Sequence, residues 1–519
     1  MLLNKIILND LEIDLINEHD ISNRDNYFSL IVGKNGSGKS RILEAIAVSG
    51  ILRDFLKREG DRCDKGSAGG LLISKYSSME FLKDVSSDSI KMVFSLDELN
   101  FIEVNKFSDS HRQVNYHNAL FECKNCGRDE FINVICVTNG LFNKFPRLTM
   151  HVMMMREYFD DFYKNISASE IFYRYAQTNR EYSICGYLSQ SITKCFFSDN
   201  KKYEMTVSFL KRFGVFGRFK IIFKANKNLR GVSDAGVFDV NELKECFSVM
   251  KNGLGGIKTE IPQKIIGLID ETFKEMFAIS GVKIEFEHPS AHFFLDRDLL
   301  SVEFNSWEDV DFELYKKIKV LSEYNIVEVR GFLFERDGRE LELESISSGE
   351  LNILFLMFKI NSVIEDNSVI LIDEPEISLH PKWQNEIVPA LKDVFASYSG
   401  CHFIIATHSP HVVASIPKEN SSVIILNSWP ETHHGSRFSG RSSDYQLFSV
   451  LGFIGDENDY LTMQLIIIIS KLSASEKLDS REFFILDKAK DLLSRETTSH
   501  HVKHLLLQAQ RLSKGFENE

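Results

Sequence analysis

The chain has 519 residues, 43% of them hydrophobic, with a net charge of -13 and a pI of about 5.7. These values exclude a disordered or fibrous protein, and the length is sufficient for two or more packed cores. The acidic balance gives the whole molecule no electrostatic reason to coat nucleic acid or an anionic membrane, so any such contact needs a local patch.

The cysteines and the apolar segments indicate the compartment. Eight cysteines are scattered along the chain, without the dense spacing that cross-links small secreted domains. The start, MLLNKIILND, lacks a basic segment followed by an apolar core, and the most apolar run, near residue 461, falls short of the roughly 20 residues that span a membrane. We therefore expect a cytoplasmic protein with reduced thiols and no membrane association.

The first predicted elements form a strand, loop and helix unit. Residues 2–8 and 27–32 are predicted strands, and the second leads directly into a glycine-rich turn and an apolar-periodic helix. The turn, GKNGSGKS, matches the phosphate-binding pattern G-x-x-x-x-G-K-[ST] in the context that this pattern requires, although a chance glycine loop is the alternative. The candidate phosphate-binding residues are Gly33, Lys34, Asn35, Gly36, Ser37, Gly38, Lys39 and Ser40.

The residue types in this turn fit the binding of ATP with Mg²⁺. Gly33, Gly36 and Gly38 let the backbone bend so that its N–H groups and the helix N-terminus point at phosphate oxygens. Lys39 is expected to reach the β- and γ-phosphates, and the Ser40 hydroxyl is expected to bind the metal.

The next part of the chain carries weaker signals. A strand is predicted at 132–137, and residues 151–325 mix helix and strand signals without sustained heptads, which favours a globular insert. Within it, residues 211–230 contain seven Lys or Arg and no acid, with interleaved phenylalanines. This composition is typical of a surface that contacts nucleic acid, and equally of amphipathic strands with a basic, solvated face.

The pair Cys123 and Cys126 raises the question of a zinc site. With His111 and His117 nearby, four donor groups are available, but only one close pair has the spacing of a zinc finger. A reduced pair in a surface turn is the alternative, and the sequence leaves both open.

Beyond residue 325 the predicted elements alternate between strand and helix. Asp337-Gly338 supplies a hairpin turn between the first two strands. From about residue 440 the chain is polar and helical, and the isoleucine run at 466–469 is predicted to be helix core or an assembly surface. The predicted strands of this part are 326–334, 339–345, 368–373, 402–407 and 422–426.

The segment SVILIDEPE delivers two adjacent carboxylates at the end of an apolar strand. Ligands of α/β sheets bind at the carboxyl ends of the strands, so Asp373 and Glu374 are expected to face a site. Asp373 is positioned to hold Mg²⁺, and Glu374 to polarise the attacking water in phosphoryl transfer. An acidic strand end that faces solvent is the alternative.

Three further segments carry a family resemblance. ISSGEL (346–351) resembles the signature motif of ABC-type ATPases, while EPEISLHP (374–381) and THSP (407–410) look like their D-loop and H-loop. The resemblance covers roughly the first 50 residues and 326–430. It implies an α/β fold, an ABC-type ATPase head of the P-loop NTPase class with a globular α+β insert and a C-terminal helical extension.

The resemblance also implies a domain plan and a site shared between two copies. The implied domains are an N-terminal ATPase lobe (1–150), the insert (151–325), a C-terminal ATPase lobe (326–440) and a helical extension (441–519). His408 is implied to contact the γ-phosphate, and a homodimer or higher homo-oligomer is expected. The residues implied to cap the γ-phosphate held by the opposite subunit are Ser347, Ser348, Gly349 and Glu350, at a helix N-terminus that suits an anion.

One departure from the family pattern concerns the Q-loop. No glutamine stands where the family places it, at the end of a strand after the first helix, and Thr138 or Asn139 is the expected substitute. The short hairpin, the ISSGE variant and the EPExSLHP string resemble the RecF and OLD branch more than membrane transporters.

The chain is also similar to the PtuA ATPases of Septu and retron-associated antiphage systems. The shared features are the length, the LFNKFP string (141–146) and the absence of a recognisable nuclease segment after THSP. The resemblance implies a PtuB-like HNH nuclease as partner and, in retron systems, a reverse transcriptase with its RNA–DNA hybrid.

Three functions therefore compete. The first is an ATPase subunit of an antiviral defence complex that controls a separate nuclease. The second is a RecF-like DNA repair or maintenance ATPase that clamps DNA through its own basic surfaces. The third, an ATP-binding scaffold without turnover, is disfavoured by Glu374, because a clamp has no need of a general base.

Overall fold

The computed structural model forms two compact units. Met1–Ser169 together with Ile364–Glu519 makes the first unit, and Glu170–Val363 makes the second. The four domain bounds expected from the sequence stay a prediction. The structure describes residues 2–8, 11–17, 25–47, 89–93, 100–108, 111–118, 133–138, 145, 163–167, 184–198, 200–215, 218–225, 282–285, 299–304, 327–427, 429–455, 458–495 and 500–516.

Twelve of the described strands belong to the first unit, and seven of these form its central sheet. The order is β17-β16-β3-β15-β14-β7-β8, with all neighbours parallel except β16 and β17. The strands are β1 (Lys5–Leu8), β2 (Leu11–Asp14), β3 (Tyr27–Val32), β4 (Ser89–Val93), β5 (Asn100–Ser108), β6 (His111–Asn118), β7 (Val134–Thr138), β8 (Tyr163–Ser167), β14 (Val369–Asp373), β15 (His402–Thr407), β16 (Ser421–Leu426) and β17 (Pro430–His434).

The five inner strands of the central sheet are mostly apolar and buried along their whole length. Every residue of β3, β7, β14, β15 and β16 is buried, as parallel strands packed on both faces require. The predicted strands 27–32 and 402–407 agree with β3 and β15, and the other predicted strands of this sheet differ only at their ends. A second, antiparallel sheet has the order β2-β1-β4-β5-β6.

The helices of the first unit end in a three-helix group. The three helices are α8 (Asp459–Ser473), α9 (Ser480–Arg495) and α10 (His500–Phe516), and they share one core. Helix α8 buries Leu461, Leu465, Ile468 and Leu472 in this core, at spacings of three and four residues. Ile466 and Ile467 are 48% and 43% exposed, so the isoleucine run is divided between core and surface. The helices are α1 (39–47), α5 (Pro381–Val394), α6 (Pro410–Ala414), α7 (Ser443–Ser449), α8 (Asp459–Ser473), α9 (Ser480–Arg495) and α10 (His500–Phe516).

A buried histidine links the central sheet to the N-terminal segment. The ring of His402, at the start of β15, is completely buried; its Nδ1 accepts the Leu3 backbone N–H at 3.1 Å, and its Nε2 lies 2.8 Å from the Ser29 hydroxyl. Ser29 in turn donates to the Leu15 carbonyl at 2.6 Å. The ring therefore carries its single proton on Nε2, and burial lowers the pKa of His402 to about 3.

The second unit contains a five-stranded antiparallel sheet with three described helices. The sheet order is β10-β11-β9-β12-β13. The turn between β12 and β13 has Asp337 at φ 54° and Gly338 at φ 73°, which confirms the predicted hairpin turn. The elements are β9 (Phe219–Ala225), β10 (Val282–Glu285), β11 (Leu299–Phe304), β12 (Val327–Arg336), β13 (Arg339–Glu342), α2 (Ile184–Ser198), α3 (Asn200–Arg212) and α4 (Ser348–Val363).

Phenylalanines form much of the core of the second unit. The ring of Phe196 on α2 stacks on Phe219 at 5.1 Å and lies 6.0 Å from Phe332. The second hairpin strand is shorter than predicted, because residues Leu343–Ser345 turn into a short 3₁₀ helix directly before the ISSGE segment.

None of the helices in the described ranges is both long and apolar enough to cross a membrane.

Candidate active site

The carboxyl ends of three strands bring three of the predicted motif segments to one edge of the central sheet. β3 leads into the glycine-rich loop, β14 ends at Asp373, and β15 ends at Thr407 just before His408. In the parallel register Asp373 lies beside Ala406 on one side and beside Thr138 on the other. Segments far apart in the sequence therefore meet where α/β sheets bind ligands.

The loop between β3 and α1 has the backbone that a phosphate cradle needs. Gly36 and Gly38 have φ values of 83° and 95°, and a Cβ at either position would touch nothing, so conformation and not space requires glycine there. At Gly33, in contrast, a Cβ would lie 3.2 Å from the Cβ of Leu426. Lys34 and Asn35 are exposed, and α1 begins at Lys39.

The ammonium of Lys39 is folded over this loop. Its Nζ donates to the Gly33 carbonyl at 2.8 Å and to the Lys34 carbonyl at 3.0 Å, and the residue is only 5% exposed. The Ser37 hydroxyl is buried and has no hydrogen-bond partner among the described residues. A buried cation beside an unsatisfied donor and a helix N-terminus fits an anionic ligand.

Ser40 and Asp373 form an oxygen pair that fits Mg²⁺. The Ser40 hydroxyl donates to Asp373 Oδ1 at 3.1 Å, and Asp373 is 6% exposed. A hydroxyl and a carboxylate beside a phosphate cradle are the hard oxygen ligands that this cation takes in nucleotide sites. The residues present therefore suit the predicted metal.

Glu374 and His408 face each other at the same edge. Glu374 has a left-handed φ of 48°, held in place because its backbone N–H donates to the Ala406 carbonyl at 2.9 Å. Its Oε1 lies 3.7 Å from His408 Nδ1, and the two side chains are 31% and 42% exposed. The two predicted catalytic residues are thus close together and accessible to a ligand.

A third carboxylate, Glu376, belongs to this group and was missed by the sequence analysis. Its side chain is 4% exposed, and its Oε1 lies 3.3 Å from His408 Nδ1. The only sequence signal was its place in the EPE string, which the resemblance assigned as a whole to a loop.

The ISSGE segment lies in the second unit and caps α4. The Glu350 carboxylate accepts the Ser347 backbone N–H at 3.1 Å, and the Glu350 backbone N–H donates to the Ser347 hydroxyl at 3.3 Å, which is the reciprocal capping box of an S-x-x-E sequence. The Ser347 hydroxyl also donates to the Glu350 carboxylate at 3.0 Å. Arg336 pairs with the other carboxylate oxygen of Glu350 at 3.1 Å. Ser347 and Ser348 are exposed, whereas Gly349 is buried.

The basic segment 211–230 is partly neutralised by acids of its own unit. Lys220 lies 3.7 Å from Glu340, and Arg218 lies 4.0 Å from Glu335. Residues 226–230 lie outside the described residues, so a nucleic-acid contact stays a prediction.

The remaining minor predictions fall mostly outside the described residues. This applies to Cys123, Cys126 and Asn139, and of the LFNKFP string only Phe145 is described. Thr138 is buried at the end of β7, beside Asp373. Within the ranges that the structure describes, no group of three or more His, Cys, Asp or Glu could hold a metal.

A sequence model of the AAA ATPase domain family matches residues 7–413 of the chain. Three curated relatives match shorter segments. The retron Ec83 probable ATPase of Escherichia coli is 33% identical over 99 residues, 17% of this chain and 18% of the relative. The retron Vc95 probable ATPase of Vibrio cholerae serotype O1 biovar El Tor is 32% identical over 100 residues, 17% and 19% of the two chains.

Protein ea59 of Escherichia phage lambda is 37% identical over 82 residues, 16% of this chain and 15% of the relative. The chain thus spans less than a fifth of the length of these curated relatives.

Among solved structures, the SmcHead bound to the C-winged helix domain of ScpA covers 84% of this chain and 98% of its own, at 11% identity and a TM-score of 0.30. The SMC head domain from Thermotoga maritima covers 84% of this chain and 99% of its own, at 12% identity and a TM-score of 0.28.

Proposed function

Because the chain belongs to the AAA ATPase domain family and is therefore an ATPase, we propose that it works as a nucleotide-gated homodimer that controls a separate nuclease in antiviral defence. Its fold is the predicted α/β ATPase head of the P-loop NTPase class, built on the parallel central sheet. The observation that carries the proposal is the meeting of the glycine-rich loop, Asp373, Glu374 and His408 at one sheet edge.

The proposed hydrolytic site uses the loop and the two strand ends together. Lys39 exchanges its loop carbonyls for the β- and γ-phosphates, which are stronger acceptors for an ammonium. Glu374 orients the attacking water and accepts its proton, and His408 donates to the γ-phosphate. Ser40 and Asp373 hold Mg²⁺, which when bound neutralises charge on the phosphates.

The proposed dimer places the ISSGE segment of one copy against the nucleotide of the other. Ser347 and Ser348 are exposed at the N-terminus of a 16-residue helix, where free N–H groups favour an anion. The Ser347 hydroxyl is held by the Glu350 carboxylate, so an arriving γ-phosphate competes with Glu350 for the same donors. Nucleotide and partner copy are then recognised in one step.

The proposed partner is a PtuB-like HNH nuclease, joined in a retron context by a reverse transcriptase and its RNA–DNA hybrid. Support comes from the two retron probable ATPases among the relatives, each matched over less than a fifth of its length. The choice of this partner rests on the resemblance of the sequence motifs to those of the PtuA ATPases. Under the proposal the chain itself makes no cut, and the ATP cycle restrains or releases the partner.

The proposal is tested by co-expression of the tagged chain with its genomic neighbours, followed by purification with ATP and identification of the protein and nucleic acid that stay attached. We expect a nuclease in the complex, and an oligomer trapped by ATP in the Glu374→Gln variant, because the base is lost while binding is retained. Glu365→Gln, an exposed glutamate before the same strand, is the matched control and should hydrolyse ATP without trapping.

The dimer is tested separately with Ser347→Arg, compared with Ser473→Arg at an exposed position of α8. We expect only Ser347→Arg to abolish ATP-dependent association. A chain that stays monomeric with ATP in every variant contradicts the dimer, and duplex DNA as the sole companion, without a nuclease, contradicts the defence assignment.

A further inference from the structure

Glu376 is a buried carboxylate to which none of the motif assignments gives a role. It lies two residues after Glu374, in the loop between β14 and α5, and its side chain is only 4% exposed. Taking a carboxylate out of water is costly unless hydrogen-bond donors replace the lost hydration. The hydrogen-bond donors around the Glu376 carboxylate therefore indicate the role of this buried side chain.

The described donors to the Glu376 carboxylate come from two consecutive residues, Thr407 at the end of β15 and His408 directly after it. Oε1 accepts the Thr407 hydroxyl at 2.7 Å and the His408 backbone N–H at 2.8 Å, and it lies 3.3 Å from His408 Nδ1. The other oxygen, Oε2, is buried and has no hydrogen-bond partner in the described part of the chain. The buried charge is thus balanced from the segment that carries His408.

This contact determines which ring nitrogen of His408 meets a ligand. A carboxylate beside Nδ1 requires a proton on Nδ1, because a lone pair there would repel the oxygen. Nε2 is then the ring atom left for another partner. It donates to a phosphate oxygen only when it carries a proton as well, which is the imidazolium form that the Glu376 carboxylate at Nδ1 can pair with. The same carboxylate oxygen also accepts the His408 backbone N–H, so Glu376 contacts both the main chain and the ring of this residue.

A second connection ties the same two segments together. Ser409 donates its hydroxyl to Gln384 Oε1 at 2.7 Å, and Gln384 Nε2 donates to the Leu379 carbonyl at 3.0 Å. The loop after Glu374 and the segment around His408 are therefore joined at two points, and Glu376 is the one next to the imidazole.

Resting on the proposed ATP site, we infer that Glu376 is a positioning residue for hydrolysis: it holds the His408 imidazole by Nδ1 and presents Nε2 to the terminal phosphate. It touches neither the nucleotide nor the water and acts only through His408. Removal of its charge should slow turnover without weakening the grip on ATP, because the phosphate cradle of Lys39 is a separate set of contacts.

The test compares Glu376→Gln with the control Glu365→Gln in steady-state ATP hydrolysis by the full chain. Glutamine keeps one oxygen for Thr407 and the His408 N–H but loses the charge beside Nδ1. We expect kcat to fall about 10- to 100-fold, the loss seen when an orienting carboxylate behind a histidine is removed. We expect KM for ATP to stay within about twofold of the parent value.

The decisive measurement is the same substitution in a His408→Ala background. A residue that acts only through His408 has nothing left to position there, so Glu376→Gln should lower kcat no further. An equal fall of kcat in both backgrounds, or an unchanged kcat with His408 present, overturns the inference. If His408→Ala and Lys39→Ala both hydrolyse ATP as the parent does, the proposed site itself fails, which is a different result.

A second variant covers the case in which Glu376→Gln does not fold. Thr407→Val removes one donor to Oε1, together with the acceptor of the Ser409 backbone N–H, with little change of shape, and it leaves Glu376 in place. We expect a smaller fall in kcat, which must likewise disappear in the His408→Ala background. A fall that persists without His408 contradicts the inference.

Discussion

The buried His402 should make the first unit sensitive to acid. Its pKa is about 3 in the fold and 6.5 in its ordinary state, chiefly because burial disfavours the charged ring. Between these values the unfolded chain binds a proton that the folded chain does not. Stability is therefore complete above pH 6.5 and falls as the pH drops through that value towards 3.

The size of the effect follows from the same two values. At pH 5, protonation of the unfolded ring should cost the fold about 2 kcal/mol. The geometry explains why the ring resists protonation, since Nδ1 already accepts the Leu3 N–H and a second hydrogen there would meet it head-on. His402→Gln removes the titrating group while an amide nitrogen remains for Ser29.

The assay is urea unfolding at pH 7.5 and pH 5, followed by tryptophan fluorescence, because Trp383 and Trp429 lie in the same unit as His402. Between the two pH values, we expect the free energy of unfolding to fall by about 2 kcal/mol more in the parent than in His402→Gln. His501→Gln, at an exposed position of α10, is the control, and its free energy of unfolding should fall between the two pH values as that of the parent does. Equal losses in parent and His402→Gln would refute the reasoning.

Three further outcomes are expected. Lys39→Ala should weaken ATP binding by about 1.5–3 kcal/mol, the value of a charge-assisted contact, and titration calorimetry that finds the parent affinity contradicts this. Glu350→Ala should destabilise the second unit by about 1 kcal/mol, seen in thermal unfolding, because Ser347 loses its capping partner. Gly435→Ala should destabilise the first unit by about 1–3 kcal/mol, since a Cβ would lie 2.8 Å from the Pro417 carbonyl oxygen, and an unchanged melting temperature opposes that contact.

The parts of the site that the sequence predicts are those with local signals. The apolar runs of β3, β14 and β15, the glycine spacing before Lys39 and the Asp337-Gly338 turn are each readable within a few residues. Parallel strands then bring their carboxyl ends to one edge, so Asp373 and His408 could be placed together without coordinates.

The parts that the sequence does not predict depend on partners far along the chain. The strands β4, β5 and β6 pair in an antiparallel sheet whose register no short segment encodes. Glu376 reads as one more acid of a polar loop, and only the fold shows that Thr407 and His408 enclose it. His402 likewise begins an apolar strand, and its burial becomes visible only with Leu3 beside it.

Two hydrogen-bonded connections join the loop after β14 to the segment after β15, and they limit how the partner copy of the proposed homodimer could act on this one. Pressure on Leu379 reaches Ser409 through Gln384, and pressure on Glu376 reaches the imidazole directly. Neither stretch of chain can shift alone without breaking bonds of 2.7–3.0 Å. In the proposed homodimer, a copy that contacts this loop would therefore also shift His408 of the other copy, and the two ATP sites would be coupled.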